Sequence, residues 1–142
     1  MVCYVDTSVL VALCVNEPKS EDVSRWYAKC KGKLVSSVWC VTEFASALGI
    51  KQRTGQITTE EAQVAWQNFQ RLCTNDLTLL SPDADIFHKA AFLTMDAATG
   101  LRAGDALHLT SALHANVKRM ATLDDVFVRN AKQRKIAVVP YA

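Results

Sequence analysis

Four acidic residues of this chain occupy positions from which their carboxylates could meet at one edge of a sheet. Asp6 directly follows the short apolar run Val2–Val5, and Asp124 ends a later run with strand character. Asp105 begins a helical pattern, and Glu43 lies about one and a half turns into another. Because ligands of parallel sheets gather at the carboxyl ends of the strands, we expect these four acids to converge there.

Each of these acids, taken alone, also has a structural explanation. Asp6, Asp105 and Asp124 suit helix N-termini, where acids cap free N–H groups or meet the helix dipole. Glu43 lies on an apolar stripe and suits an ion pair with a basic side chain. Taken together, four acids with no matching basic run would repel one another. A Mg²⁺ or Mn²⁺ ion, which prefers oxygen ligands, would hold them together for phosphoryl-bond hydrolysis.

Composition is typical of one globular domain spanning residues 1–142. Hydrophobic residues make up 50% of the chain and charged residues 21%, with a net charge of +2. The five cysteines are an odd number with no Cys-x-x-Cys pair, so neither disulfides nor a zinc site are expected. No apolar run approaches the length of a membrane span, and no secretory signal is visible. We therefore expect no membrane association and a cytoplasmic location.

The order of predicted elements indicates an α/β fold. Strands alternating with helices favour right-handed crossovers, a mostly parallel central sheet and a three-layer α/β/α arrangement with Val2–Val5 as a central strand. Strands are predicted at Val2–Val5, Leu34–Ser37, Leu77–Leu80, Arg119–Leu123 and Ala137–Pro140. Helices are predicted from near Ser8, and at Glu21–Lys31, Val38–Thr54, Thr58–Thr74, Asp83–Thr99, Asp105–Asn116 and Asp125–Arg134.

Basic residues form three local clusters that the mild net charge conceals. Each is explained by a solvated helix face or loop, although a nucleic-acid partner remains open. The clusters are Lys29, Lys31 and Lys33; Lys118 and Arg119; and Arg129, Lys132, Arg134 and Lys135.

Other catalytic patterns do not compete with the acids. The chain has no Walker loop, no dinucleotide-binding glycine pattern and no Ser-His-Asp elbow. His88, His108 and His114 lack metal-ligand spacing, and we interpret all three as structural.

Five segments, in this order, resemble proteins of the PIN-domain family, and in particular VapC-type toxins of bacterial VapBC toxin–antitoxin pairs. They are YVDTSVLVAL, VTEFASAL, LRAGDALHLTSAL, ATLDDVF and IAVVP, and they cover essentially the whole chain. The resemblance implies a PIN-like fold and a metal-dependent endoribonuclease in which a metal-activated water hydrolyses RNA. It further implies that the Mg²⁺ or Mn²⁺ site consists of Asp6, Glu43, Asp105 and Asp124.

The resemblance also implies roles for neighbouring side chains. Thr7 or Ser8, and Thr122, would support the acids by hydrogen bonding. Arg102 would either contact phosphate or form an ion pair. Because Asp124 is followed by Asp125, either of them could be the metal ligand.

The partners implied by the resemblance are an RNA substrate, a second copy of the chain and a VapB-type antitoxin. The antitoxin's C-terminal segment would cover the active site. Some of the aromatic residues in helical segments are expected to line either the homodimer contact or the antitoxin groove. The examples are Trp26, Tyr27, Trp66 and Phe69.

Two other function classes compete with the ribonuclease hypothesis. The chain could be a PIN-fold nucleic-acid or protein-binding module with an idle metal site, although all four acids are present. It could also be a phosphatase or phosphoacceptor of the haloacid-dehalogenase or receiver type. Those proteins need two nearby acids or an Asp-x-Asp at the end of the first strand, whereas here Asp6 is followed by Thr7 and Ser8.

Overall fold

The structure, a computed structural model, describes residues 2–141 and contains one sheet with five parallel strands. Their spatial order is β3-β2-β1-β4-β5, so β1 is central and the predicted fold class is confirmed. The strands are β1 (Val2–Val5), β2 (Lys33–Ser37), β3 (Leu77–Leu80), β4 (Arg119–Ala121) and β5 (Ala137–Val138).

Helices cover both faces of this sheet. They are α1 (Thr7–Cys14), α2 (Ser20–Lys29), α3 (Trp39–Arg53), α4 (Thr59–Asn75), α5 (Ala84–Met95), α6 (Ala103–His114) and α7 (Asp125–Gln133). No helix within residues 2–141 is long and apolar enough to cross a membrane.

The core is divided by the sheet into two apolar clusters because side chains along a strand alternate between its faces. Cys3 and Val5 of β1 belong to the cluster that packs against α1–α4. Tyr4 points to the other face and joins the cluster formed with α5–α7. The central strand therefore contributes to both clusters, and its end, at Asp6, is held rigidly.

The single helix predicted at Asp83–Thr99 is wrong at its C-terminal end. Helix α5 ends at Met95, and a separate 3₁₀ turn covers Ala97–Thr99. The Asp96 carboxylate accepts a hydrogen bond from the backbone N–H of Ala98 at 3.0 Å. This local bond competes with the helix and starts the new turn.

The expected start of the next helix is also wrong by two residues. Helix α6 begins at Ala103, with Arg102 as its N-cap residue, so Asp105 lies in the first turn rather than at the cap.

The following strand is shorter than predicted, because β4 ends at Ala121. Thr122 consequently belongs to the loop after the strand, next to Asp6.

One of the four aromatic residues expected at an interface is instead part of the core. Phe69 is 1% exposed and stacks on Phe44 with ring centroids 4.2 Å apart. Trp26, Tyr27 and Trp66 are partly buried against the same core cluster. The most exposed large apolar side chains are instead on α5, where Phe92 is 73% and Met95 79% exposed.

Candidate active site

Asp6 lies at the carboxyl end of the central strand and is almost completely buried, with 2% exposure. Its Oδ1 accepts a hydrogen bond from the Ser8 hydroxyl at 2.6 Å, and its Oδ2 accepts one from the Thr122 hydroxyl at 2.5 Å. It also caps α1, because Oδ1 accepts the backbone N–H of Val9 at 3.3 Å. Burial raises the pKa of Asp6, although these donors and the charge of His108 oppose the rise.

The hydroxyls around Asp6 are themselves fixed by the backbone. The backbone N–H of Leu123 donates to Ser8 Oγ at 3.1 Å. Likewise, the backbone N–H of Asp124 donates to Thr122 Oγ1 at 3.1 Å. The end of β1 and the loop after β4 are thus linked through side chains whose positions follow from the pairing of the two strands.

Glu43 projects from the second turn of α3 and is held by side chains from two other elements. Thr7 donates to Glu43 Oε1 at 2.7 Å, and Nε2 of His108 contacts the same oxygen. The other ring nitrogen, Nδ1, lies 2.6 Å from the Tyr4 hydroxyl. The two ring nitrogens of His108 therefore connect the Tyr4 hydroxyl to the Glu43 carboxylate.

The electrostatic setting of Glu43 is opposite to that of Asp6. Burial raises the pKa of Glu43, but the hydrogen bond and charge of His108, together with Thr7 and Trp39, outweigh this effect. The net result is a pKa below the ordinary value of 4.5. The ionised form of Glu43 is therefore stabilised by the surrounding protein.

The start of α6 packs directly against the Glu43 carboxylate. A Cβ atom built on Gly104 would overlap Oε2 of Glu43 and lie 3.2 Å from Nε1 of Trp39. A side chain at this position would force the Glu43 carboxylate to move. The N-terminus of α6, with its unsatisfied N–H groups, also favours a negative charge at this point.

Asp105 follows Gly104 and faces the other acids. Burial and then the charges of Asp124, Asp6 and Glu43 raise the pKa of Asp105 from 3.8 to about 6, while the charge of His108 lowers it. The four acids therefore lie within electrostatic reach of one another at the carboxyl edge of the sheet.

Asp124 and Asp125 differ in their surroundings. Asp124 is partly buried and caps α7 by accepting the backbone N–H of Phe127 at 3.1 Å. Asp125 is exposed in the first turn of the same helix. Of the two consecutive acids, Asp124 is the one directed toward the cluster.

The oxygen donors of this cluster suit a hard divalent cation, which would also relieve their mutual repulsion. Within residues 2–141, however, no three Asp, Glu, His or Cys side chains converge closely enough to bind one ion directly. Mg²⁺ usually keeps several of its waters and binds through only one or two carboxylates. The donor set therefore fits a hydrated ion better than an all-protein cage.

Two residues of this site were not predicted. His108 was interpreted as structural, but it is 1% exposed and contacts both Glu43 and Tyr4. Its partners are 65 and 104 residues away in sequence, so no local spacing could reveal them. Gly104 precedes the helix predicted at Asp105–Asn116, and its role depends on where Glu43 lies in the fold.

The sequence profile of the PIN domain matches residues 3–133 of the chain. Among curated proteins, none matches the sequence significantly.

Several solved structures share the fold at low sequence identity. Mycobacterium tuberculosis VapC20, described as a sarcin-ricin loop cleaving toxin, is 18% identical with a TM-score of 0.72, covering 90% of this chain and 94% of that one. FitAcB from Neisseria gonorrhoeae is 18% identical with a TM-score of 0.67, covering 99% of this chain and 98% of that one. VapBC2 from Rickettsia felis, bound to a promoter DNA fragment, is 12% identical with a TM-score of 0.65, covering 98% of each chain.

Proposed function

The chain belongs to the PIN-domain family, and we propose that it is a Mg²⁺- or Mn²⁺-dependent endoribonuclease that hydrolyses phosphodiester bonds in RNA. The observation that carries this proposal is the set of four carboxylates at one edge of the sheet, where burial, and then the charges of the other three acids, raise the pKa of Asp105 to about 6. Crowded like charges are costly unless a cation neutralises them. An acidic oxygen site of this kind suits phosphoryl transfer better than any other chemistry the chain could support.

Each residue has a defined role in this proposal. Asp6, Glu43, Asp105 and Asp124 hold the cation, some of them through its waters. The bound cation supplies neutralisation of the phosphate charge and acidification of water. Ser8 and Thr122 orient Asp6, and Thr7 orients Glu43, so that the carboxylates keep their positions when the substrate enters.

We assign Arg102 to phosphate contact rather than to an internal ion pair. It is exposed at the N-cap of α6, next to the carboxylate cluster. Among the residues that the structure describes, it forms no ion pair within 4.0 Å. An unpaired guanidinium beside a cluster of acids can bind the substrate phosphate that would otherwise be repelled.

The same proposal extends to biological role and partners. The structural similarity to VapC20, described as a cleaving toxin, and to VapBC2 supports a toxin of a type II toxin–antitoxin pair. The partners would be a VapB-type antitoxin that covers the carboxylate edge, and a second copy of the chain. The exposed Phe92 and Met95 on α5 are available for one of these contacts. The protein would act in the cytoplasm, where RNA is accessible.

The decisive experiment compares single-stranded RNA with a small phosphate ester, each assayed with Mg²⁺, with Mn²⁺ and with excess EDTA. We expect RNA cleavage only with a divalent ion. Cleavage of the ester without RNA cleavage would instead indicate a phosphatase. Binding of RNA without cleavage under every condition would indicate a binding module with an idle site.

A cellular experiment tests the toxin role separately. Expression of the chain alone should arrest growth, and Asp6→Asn should relieve the arrest. Co-expression with the adjacent small gene product should yield a complex, and sedimentation should show a dimer at micromolar concentration. Growth arrest that persists in Asp6→Asn would exclude the carboxylate site as its cause.

A further inference from the structure

The basic clusters that are separate in sequence meet at the amino edge of the sheet, opposite the carboxylate cluster. Lys29 ends α2, and Lys31 and Lys33 lead into β2. Lys118 and Arg119 begin β4 in the same way. The third cluster reaches this edge only at its end, because Arg134 and Lys135 follow α7 and come shortly before β5.

The register of the strands shows how close these residues are. Lys33 pairs with Val2, and Tyr4 pairs with Met120, so Lys118 is level with Val2 on its other side. Because neighbouring strands are about 4.8 Å apart, the backbones at Lys33 and Lys118 are separated by about 10 Å. The lysines therefore form a row across three adjacent strands.

Two open cavities lie along this row. One, of about 280 Å³, is lined by Lys29, Lys31, Arg119 and the indole of Trp26. The other, of about 580 Å³, is lined by Val2, Lys118 and Arg119. The edge thus offers concave surface and an aromatic ring beside the positive charges, a combination typical of nucleic-acid-binding grooves.

Three lysines of this edge form no ion pair with the residues that the structure describes. They are Lys31, Lys33 and Lys118, whose side chains are exposed. The acidic residue Asp76 precedes β3 at the same edge, where its carboxylate accepts the hydroxyl of Tyr27, and its single negative charge is outnumbered by the three exposed lysines. Uncompensated lysines in a row attract a partner with repeated negative charges.

We propose that this basic edge is a second RNA-binding surface, which holds the phosphate backbone of the substrate away from the site of cleavage. The inference rests on the proposed ribonuclease function. A single phosphate could meet only one or two of these lysines, whereas a polynucleotide can meet the whole row. Val2 and Asp6 are four residues apart along an extended strand, about 13 Å, so one folded RNA can reach both edges.

The test measures binding of a structured RNA by fluorescence anisotropy in EDTA, where no metal-dependent cleavage occurs. The edge variant is Lys31→Glu with Lys118→Glu. The control variant is Arg53→Glu with Lys89→Glu, which causes the same change in net charge at exposed residues that line neither cavity. We expect the edge variant to bind at least about tenfold more weakly. The magnitude of the slope of log K for RNA binding against log salt concentration should decrease by about 1.5 to 2. Affinity and slope of the control variant should change little.

Several outcomes would overturn the proposal. Equal weakening in both variants would mean that net charge alone controls binding. A competition experiment adds duplex DNA at the same concentration as the RNA. If the DNA displaces the RNA, and if this displacement depends on Lys31 and Lys118, the surface does not favour RNA. A failure of the proposed function is distinguishable, because it appears as absent cleavage of a short RNA by the unmodified protein in Mg²⁺. Both variants should unfold at the same temperature as the unmodified protein, which verifies that they are folded.

Discussion

Asp6 and Glu43 belong to the same carboxylate cluster, but the chain holds them in different ways. Asp6 is fixed by hydroxyls that backbone N–H groups anchor next to paired strands. Glu43 is fixed by Thr7 and by His108. His108 belongs to α6 and also contacts the hydroxyl of Tyr4. The pKa of Asp6 is raised, and that of Glu43 is lowered.

This difference shows which parts of the site depend on fold and which on side-chain packing. The pairing of β1 with β4 sets the position of Asp6. We therefore expect the fold to remain intact when residues around Asp6 are substituted. The position of Glu43 depends on three side chains and on the close approach of Gly104. Substitutions around Glu43 should therefore change metal binding without unfolding the protein.

The largest expected effect is that of removing the Asp6 charge. Asp6→Asn should lower RNA cleavage at saturating Mg²⁺ by at least about 100-fold, since even outer partners of metal ligands commonly contribute 10- to 100-fold. Thermal unfolding without metal should not shift downward, because the substitution removes a buried charge whose ionisation is disfavoured. Loss of stability together with activity would show that Asp6 is mainly a structural cap.

The next effect concerns the backbone that packs against Glu43. Gly104→Ala should reduce cleavage about 10- to 100-fold, because the new methyl group overlaps the Glu43 carboxylate. Its matched control is Gly49→Ala in α3, where the added Cβ would meet only the flexible end of Arg53 at 3.2 Å. We expect Gly49→Ala to leave cleavage unchanged and to stabilise the helix by up to about 1 kcal/mol. Equal cleavage rates in the two variants would contradict the proposed contact.

A smaller effect should separate positioning by His108 from simple packing. His108→Leu should weaken Mn²⁺ binding, measured by electron paramagnetic resonance, about tenfold. His108→Gln, which keeps an N–H near the position of Nε2, should restore most of that affinity. Tyr4→Phe should have an intermediate effect because it removes the hydroxyl that orients the ring. If Leu and Gln weaken binding equally, His108 serves packing alone.

The smallest effect is the dependence of stability on pH in the absence of metal. The folded-state pKa of Asp105, about 6, lies above its ordinary value of 3.8. Its protonated form therefore favours folding, fully below pH 3.8, and this contribution is lost as the pH rises through about 6. As the pH is raised between these values, the free energy of unfolding in urea should fall by about 1 to 2 kcal/mol more for the unmodified protein than for Asp105→Asn, after allowance for solvent screening. Parallel stability profiles would contradict this assignment.

Sequence patterns were sufficient for the fold because they are local. The alternating strands and helices and the central position of β1 agree with the structure. The errors lie where two local signals compete. The apolar pattern of α5 continues past Met95, but the Asp96 side chain captures the next N–H and ends the helix.

The candidate site was only partly visible in the sequence for a physical reason. Acids at strand ends are recognisable because the parallel sheet places those ends at one edge. The contacts of His108 and the restriction at Gly104 depend on elements that come together only in the folded chain. The meeting of the basic clusters at the opposite edge likewise follows from strand register.

The two outer strands of the sheet differ in length, and this limits how the molecule can associate. Strand β5 has only two residues, so it offers few free backbone groups for pairing with another chain. Strand β3, at the other side, has four. The short length of β5 is therefore enough to limit aggregation by strand pairing at this edge of the sheet. Growth of the sheet into an extended ribbon would have to begin at β3, which makes Thr78→Lys, at the exposed position of that strand, a rational substitution for improving solubility.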